Sequence, residues 1–282
     1  MIRILALIAI LCGFTGTAFA ICAGKIESVK AQSPLTYSPF AAWNAQQTLI
    51  LTVQNTGAAA CSYQVSIPPG FYPLQFGGKL SFSLSSLSNS GGAGNFALTS
   101  PTLKPGQSSQ LPLILMIPRG QPSLSGAFTS KVGFALAGAG APAGQPPIDQ
   151  VLIPLACTVP PIFEINLAGS GRKTTMQLAD LEAGQKTSVI LETRTNGDHR
   201  LVLKSVNGGV LALNGRSGPA STIPYAATVD GQPLALAAPA ALSFTAEPGQ
   251  TTRRLTITIG DTSGKLAGTY IDVITVSILS SM

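Results

Sequence analysis

Three short landmarks occur twice in this chain, in the same order and at nearly the same spacing. Asn55-Thr56-Gly57 precedes Thr195-Asn196-Gly197 by 140 residues, and Pro105-Gly106-Gln107-Ser108-Ser109 precedes Pro248-Gly249-Gln250-Thr251-Thr252 by 143. Leu124-Ser125-Gly126-Ala127-Phe128 precedes Leu266-Ala267-Gly268-Thr269-Tyr270 by 142. A near-constant offset over three landmarks means one structural unit present in two copies, which meet near residues 149–160. The unit is built of strands. Apolar and polar residues alternate over 48–54, 62–67, 80–84, 111–117 and 129–136 in the first copy. They alternate again over 187–193, 200–205, 223–229, 254–259 and 270–278 in the second. Gly, Pro, Asn and Ser separate these runs, and no stretch keeps a 3.6-residue period for three turns. Short strands at this density predict an all-β chain of two sandwiches in tandem.

Composition narrows the function. The 282 residues carry only 17 Lys+Arg, 11 Asp+Glu and one His, with 45% apolar residues. That balance excludes a disordered chain and a coiled coil. It also leaves little for general acid–base or metal chemistry, which needs several titratable groups at one spot. We therefore expect no enzyme, no catalytic residue, no metal and no cofactor. His199, the single histidine, follows Asp198 at a turn and reads as a solvated turn residue. Gly169-Ser170-Gly171-Arg172-Lys173-Thr174 has the look of a phosphate loop and of an S-x-x-K motif. It lacks the strand-to-helix setting of the first and the companion motifs of the second, so it reads as a basic turn. Asp149, Asp230 and Asp261 sit in turn sequences without the acidic clustering that calcium requires.

The first 20 residues place Arg3 before an apolar run and end in an A-x-A pattern at Ala18 and Ala20. This is the pattern of a secretory signal peptide, cleaved after Ala20. Cys12 would leave with it, and Cys22, Cys61 and Cys157 would enter an oxidising compartment. Three thiols make one pair and one free cysteine, and spacing alone leaves the pairing open. From 21 to 148 six bases face the single acid Glu27, a formal +5, whereas from 149 to 282 ten bases meet ten acids. The six bases are scattered singly, without interleaved aromatics, so nucleic acid is not an expected partner.

The second copy carries Thr195-Asn196-Gly197, Asn207-Gly208-Gly209, Ile223-Pro224-Tyr225, Asp230-Gly231 and the closing run Gly260-Asp261, then Leu266-Ala267-Gly268-Thr269-Tyr270-Ile271-Asp272-Val273-Ile274-Thr275-Val276. Over about 120 residues it resembles the spore coat protein U domain, which is similar to the pilin module of archaic chaperone–usher fimbriae. The resemblance implies immunoglobulin-like sandwiches, the C-terminal one lacking its final strand. That strand would be lent first by a periplasmic chaperone and later, at an outer-membrane usher, by an adjacent pilus subunit. The run holding Tyr270, Val273 and Val276 is the expected strand-acceptor edge, and the sequence ends four residues after it. The resemblance further implies a Cys22–Cys61 disulfide, Cys22 matching the family's early-strand cysteine. Only Ile21 would precede Cys22 in the mature chain, too little to donate a strand, which fits a two-domain adhesin at the pilus tip.

The expected organisation is a signal peptide at 1–20, a receptor domain at 21–157 and a pilin domain at 158–282. Residues 149–155, with Val151, Ile153 and Leu155 at period two, read as a strand that closes the first domain from its own chain. In 68–78, Phe71, Tyr72, Leu74 and Phe76 lie among prolines and glycines, and this segment is either a loop folded onto its own core or an exposed apolar finger, the latter a candidate adhesive loop meeting an abiotic or host surface. The alternative is an exported protein outside any pilus, either coat-like or carbohydrate-binding.

Overall fold

The computed structural model describes residues 22–86, 96–142, 144–178 and 180–281, so the expected signal peptide lies outside the described residues. The first half supplies β1 (Gly24–Ala31), β2 (Leu35–Thr36), β3 (Ala45–Asn55), β4 (Tyr63–Ser66), β5 (Gln75–Phe76), β6 (Leu80–Ser81), β7 (Ser83–Ser86), β8 (Ala97–Thr99), β9 (Ser108–Ile117), β10 (Gly126–Gly138) and β11 (Asp149–Val159). The second supplies β12 (Phe163–Leu167), β13 (Lys186–Thr195), β14 (His199–Ser205), β15 (Val210–Leu213), β16 (Thr222–Val229), β17 (Gln232–Leu234), β18 (Ala240–Phe244), β19 (Gly249–Ile259), β20 (Tyr270–Ile271) and β21 (Ile274–Ser280).

In the first sandwich, a sheet in the order β1-β3-β9-β7 packs on one in the order β2-β11-β10-β4-β8. Alternation sends Leu49, Leu51 and Val53 of β3 and Leu111, Leu113, Leu115 and Ile117 of β9 into the gap between them. Tyr63 and Val65 of β4 and Val132, Phe134 and Leu136 of β10 meet them from the other sheet, all five without solvent exposure. β11 is the strand expected at 149–155. It pairs with β10 in eleven consecutive registers, from Gly126↔Val159 to Leu136↔Asp149.

The second sandwich repeats this plan with β12-β13-β19-β16-β15-β20 in one sheet, β17 branching from β16, and β18-β14-β21 in the other. The sequence landmarks mark equivalent corners. Asn55 ends β3 and Asn196 follows β13, and both are fully buried. Asn55 Nδ2 donates to the carbonyls of Ala59 and Leu103, 2.8 Å each. Asn196 Nδ2 donates to the carbonyl of Pro160 (2.9 Å), and its Oδ1 accepts from the Ile162 amide (2.7 Å). A buried amide keeps its place only with such partners, and each asparagine ties a strand end to neighbouring chain. Because β11 continues to Val159, the link between the sandwiches is the stretch 160–162.

Cys22 and Cys61 are disulfide-bonded, 39 residues apart, with Cα atoms 5.8 Å apart. Closing a loop of that length is worth roughly 3–4 kcal/mol by the chain-entropy argument. Replacing both by serine should therefore lower the melting temperature of the first sandwich while leaving that of the second unchanged. Cys157 is free and 1% exposed, part of the first core. Burial, partly offset by the hydrogen bond with Tyr37, pushes its thiol up to about 11. The folded chain should therefore resist alkylation at pH 8, and the same cysteine should react fully in denaturant.

The structure decides two sequence readings. The segment holding Phe71, Tyr72, Leu74 and Phe76 is a loop folded onto its own core, which corrects the exposed-finger reading. Phe76 is fully buried with its ring centroid 4.6 Å from that of Phe82, and Leu74 is 7% exposed. Phe71 and Tyr72 are half-buried against the same core. The prolines and glycines turn the segment back onto β10, where the Gly77 amide donates to the Thr129 carbonyl at 3.1 Å. Beneath the Phe71 ring lies Gly133, where a Cβ would collide with the aromatic carbons. His199, read as a solvated turn residue, is instead 2% exposed at the start of β14 and stacks on Phe244, centroids 5.5 Å apart. It takes a core place because pairing with Phe244 and Ser280 brings it between two strands.

Candidate strand-acceptor groove

β21 has the sequence Ile274-Thr275-Val276-Ser277-Ile278-Leu279-Ser280. It pairs with β14 on one side, from Ser205↔Ile274 to His199↔Ser280. On its other side no strand pairs with it among the described residues. Unpaired backbone amides and carbonyls at such an edge form a ready template for another strand.

The internal repeat provides a reference for how unusual this is. At the 142-residue offset, Ile274, Val276 and Ile278 correspond to Val132, Phe134 and Leu136. The first-sandwich set is completely buried, under β11, whose Ile153 and Val151 pair with Val132 and Phe134. The second-sandwich set is only half-buried. The sheets correspond in the same way: β10, β4 and β8 match β21, β14 and β18, and the position of β11 has no counterpart among the described residues. In the first sandwich β1 lies against β11, whereas its counterpart β12 approaches β21 itself.

The two cores differ accordingly. Among the described residues, the first holds 28 buried apolar side chains with nine half-buried ones around them, and the second holds ten with sixteen around them. Ile165 and Leu167 of β12 and Ile274, Val276 and Ile278 of β21 are among those sixteen. They line the two edges where the missing layer would sit. Apolar side chains left half in water are a standing cost that an inserted alternating strand would remove.

The expected acceptor edge is corrected in one respect. The run 270–278 is not one strand. Tyr270 and Ile271 form β20 and pair with Leu213 and Ala212 of β15, in the sheet opposite β21. Val273 lies between the two strands and is 56% exposed. Of the three residues assigned to the edge, only Val276 is on it. The break follows from Asp272. Its Oδ2 accepts from Ser205 Oγ (2.6 Å) and from the Tyr225 hydroxyl, and its Oδ1 accepts from the amides of Asn207 (3.0 Å) and Val273 (2.8 Å). Burial and the bond to this carboxylate raise the Tyr225 hydroxyl well above the ordinary phenol range. Four donors on one carboxylate anchor the crossing from one sheet to the other. The sequence signal was an acid interrupting an apolar alternation, between Ile271 and Val273. Trp43, the single tryptophan, was also passed over, and it is 74% exposed on the loop before β3.

No family model matches the chain, and no curated protein matches it. Solved structures do align with it. One is a chaperone–tip adhesion subunit pre-assembly complex from the archaic chaperone–usher Csu pili of Acinetobacter baumannii, at 14% identity and a TM-score of 0.40, covering 89% of this chain and 99% of that one. Another is the CFA/I adhesin of enterotoxigenic E. coli, at 11% identity and a TM-score of 0.41, covering 95% and 84%. A beta-glucuronidase from glycoside hydrolase family 2 aligns at 16% identity and a TM-score of 0.26, covering 51% of this chain and 12% of that one.

Proposed function

We propose that this chain is a subunit of a chaperone–usher pilus, exported through the periplasm and displayed at the pilus tip on the cell surface. The first sandwich, through Val159, acts as the receptor domain and the second, from Phe163, as the pilin domain, a boundary slightly later than the 157/158 expected from the sequence. A periplasmic chaperone covers the groove beside β21 until, at the outer-membrane usher, an adjacent subunit replaces it with a strand of its own. One observation carries this reading: Val132, Phe134 and Leu136 are buried on a strand that β11 pairs with, while among the described residues no strand pairs with β21 on the open side of their half-buried repeat counterparts Ile274, Val276 and Ile278. The resemblance of the second half to the spore coat protein U domain supports it. The first sandwich closes itself with its own β11, which suits a terminal domain with nothing beyond it. Attachment to an abiotic or host surface then falls to side chains exposed on that sandwich, among which Trp43 is the largest apolar one.

The test is export of the intact chain with and without a pilus chaperone of the archaic type. The reading expects a stable chaperone complex, and degradation or aggregation of the chain exported alone. A monomer that accumulates without any chaperone would favour the coat-like or carbohydrate-binding alternative.

A further inference from the structure

The two copies of the repeat do not offer edges of equal length, and the difference traces to Asp272. In the first sandwich the strand is continuous from Gly126 to Gly138, and β11 pairs along 126–136. The corresponding stretch of the second sandwich is 268–278, but there the chain changes sheets partway. Tyr270 and Ile271 stay bonded to β15, and β21 begins only at Ile274. In the first copy the position of Asp272 is Ser130, which pairs with Leu155 inside an unbroken strand.

The hold on the crossing is extensive. Asp272 fastens it to Ser205 and Asn207 at the end of β14 and to Tyr225 of β16, one from each sheet and one from the turn between. Ser205 Oγ itself accepts from the Gly209 amide at 2.8 Å, and Asn207 Nδ2 donates to the Ile271 carbonyl at 3.0 Å. The Val206 amide donates to the Val273 carbonyl at 3.0 Å, which ties the crossing to the turn after β14.

From this we infer that Asp272 sets the length of the acceptor edge: a partner strand pairs with β21 over the seven residues 274–280, and not over the eleven that β10 offers β11. The partner is an extended segment presenting apolar residues at alternate positions across from Ile274, Val276 and Ile278, with nothing to gain from a longer apolar run. Asp272 is a positioning residue that never touches the partner. This inference rests on the strand-acceptor reading above.

The experiment replaces Ser281-Met282 of the full chain by an Asn-Gly turn that leads into an alternating Val/Thr segment of seven or of eleven residues, so that its first residue faces Ser280, its seventh faces Ile274, and it folds back antiparallel on β21. Residue-resolved amide exchange then reports which extension residues are bonded. The expected result is exchange slowed by about tenfold or more at the alternate amides that face β21 within the first seven residues of both extensions, with the last four of the longer one as fast as free peptide. In Asp272→Ala, and more weakly in Asp272→Asn, which keeps one acceptor oxygen, protection should spread into those four. Alternating protection that runs to the end of the longer extension in the unaltered chain would overturn the length limit and leave the groove standing. Equal seven-residue protection in Asp272→Ala would remove Asp272 from the role. Absence of protection in both extensions would overturn the groove reading, and the inference with it.

Discussion

Supplying a strand to the second sandwich should raise its stability by about 2–4 kcal/mol or more, while leaving the first sandwich where it was. Ile274, Val276 and Ile278 are half-buried, and taking each to full burial recovers roughly half of the 1.5–3 kcal/mol that a buried aliphatic side chain is worth. The apolar residues and hydrogen bonds of the incoming strand work against the cost of ordering it. In a calorimetric scan of the full chain, the transition of the second sandwich should move upward by on the order of 10 °C when the seven-residue extension is present. The first transition has no reason to move, because β11 already occupies its edge. Equal upward shifts in both would point to a general effect of the extension and against a specific groove.

An effect of similar size, opposite in sign and in the other domain, is expected from Phe76→Ala. Phe76 is fully buried against Phe82, and removing a phenyl ring from such a site costs about 3–5 kcal/mol. Thermal melting should show the first sandwich destabilised by on the order of 10–20 °C. Phe71→Ala should cost less, because Phe71 is only half-buried against the Gly133 backbone. A Phe76→Ala chain that melts normally but no longer attaches to surfaces would restore the adhesive loop that the fold has moved into the core.

The repeat landmarks and the period-two runs were enough to read the fold, because alternation is a backbone property: each run had to put one face inward wherever its neighbours lay. The strand at 149–155 was legible for the same reason, since Val151, Ile153 and Leu155 needed a covered face. What escaped depended on non-local pairing. For Phe71 and Phe76 the prolines and glycines forbid a central strand but leave both a core-packed loop and an exposed finger open, and the choice rests on contact with β10, where Gly133 makes the space. His199 stood at a turn in sequence, but its burial is decided by Phe244 and Ser280, 45 and 81 residues away. The break at Asp272 depends on Ser205, Asn207 and Tyr225, each more than 40 residues distant, and local alternation carried straight through it. The open edge of β21 was expected from the resemblance, and the repeat within the chain supplies the physical comparison for it.

Amide exchange along β21 in the full chain, alone and mixed with a pilus chaperone of the archaic type, tests the acceptor edge most directly. In an antiparallel strand paired on one side only, every second amide is bonded and the others point to the open edge. The account predicts that exchange alternates fast and slow along 274–280 in the free chain and becomes uniformly slow in the complex, with β10 uniformly slow over 135–136 in both, where β4 and β11 flank it. Uniform protection of β21 in the free chain, unchanged by the chaperone, would contradict it.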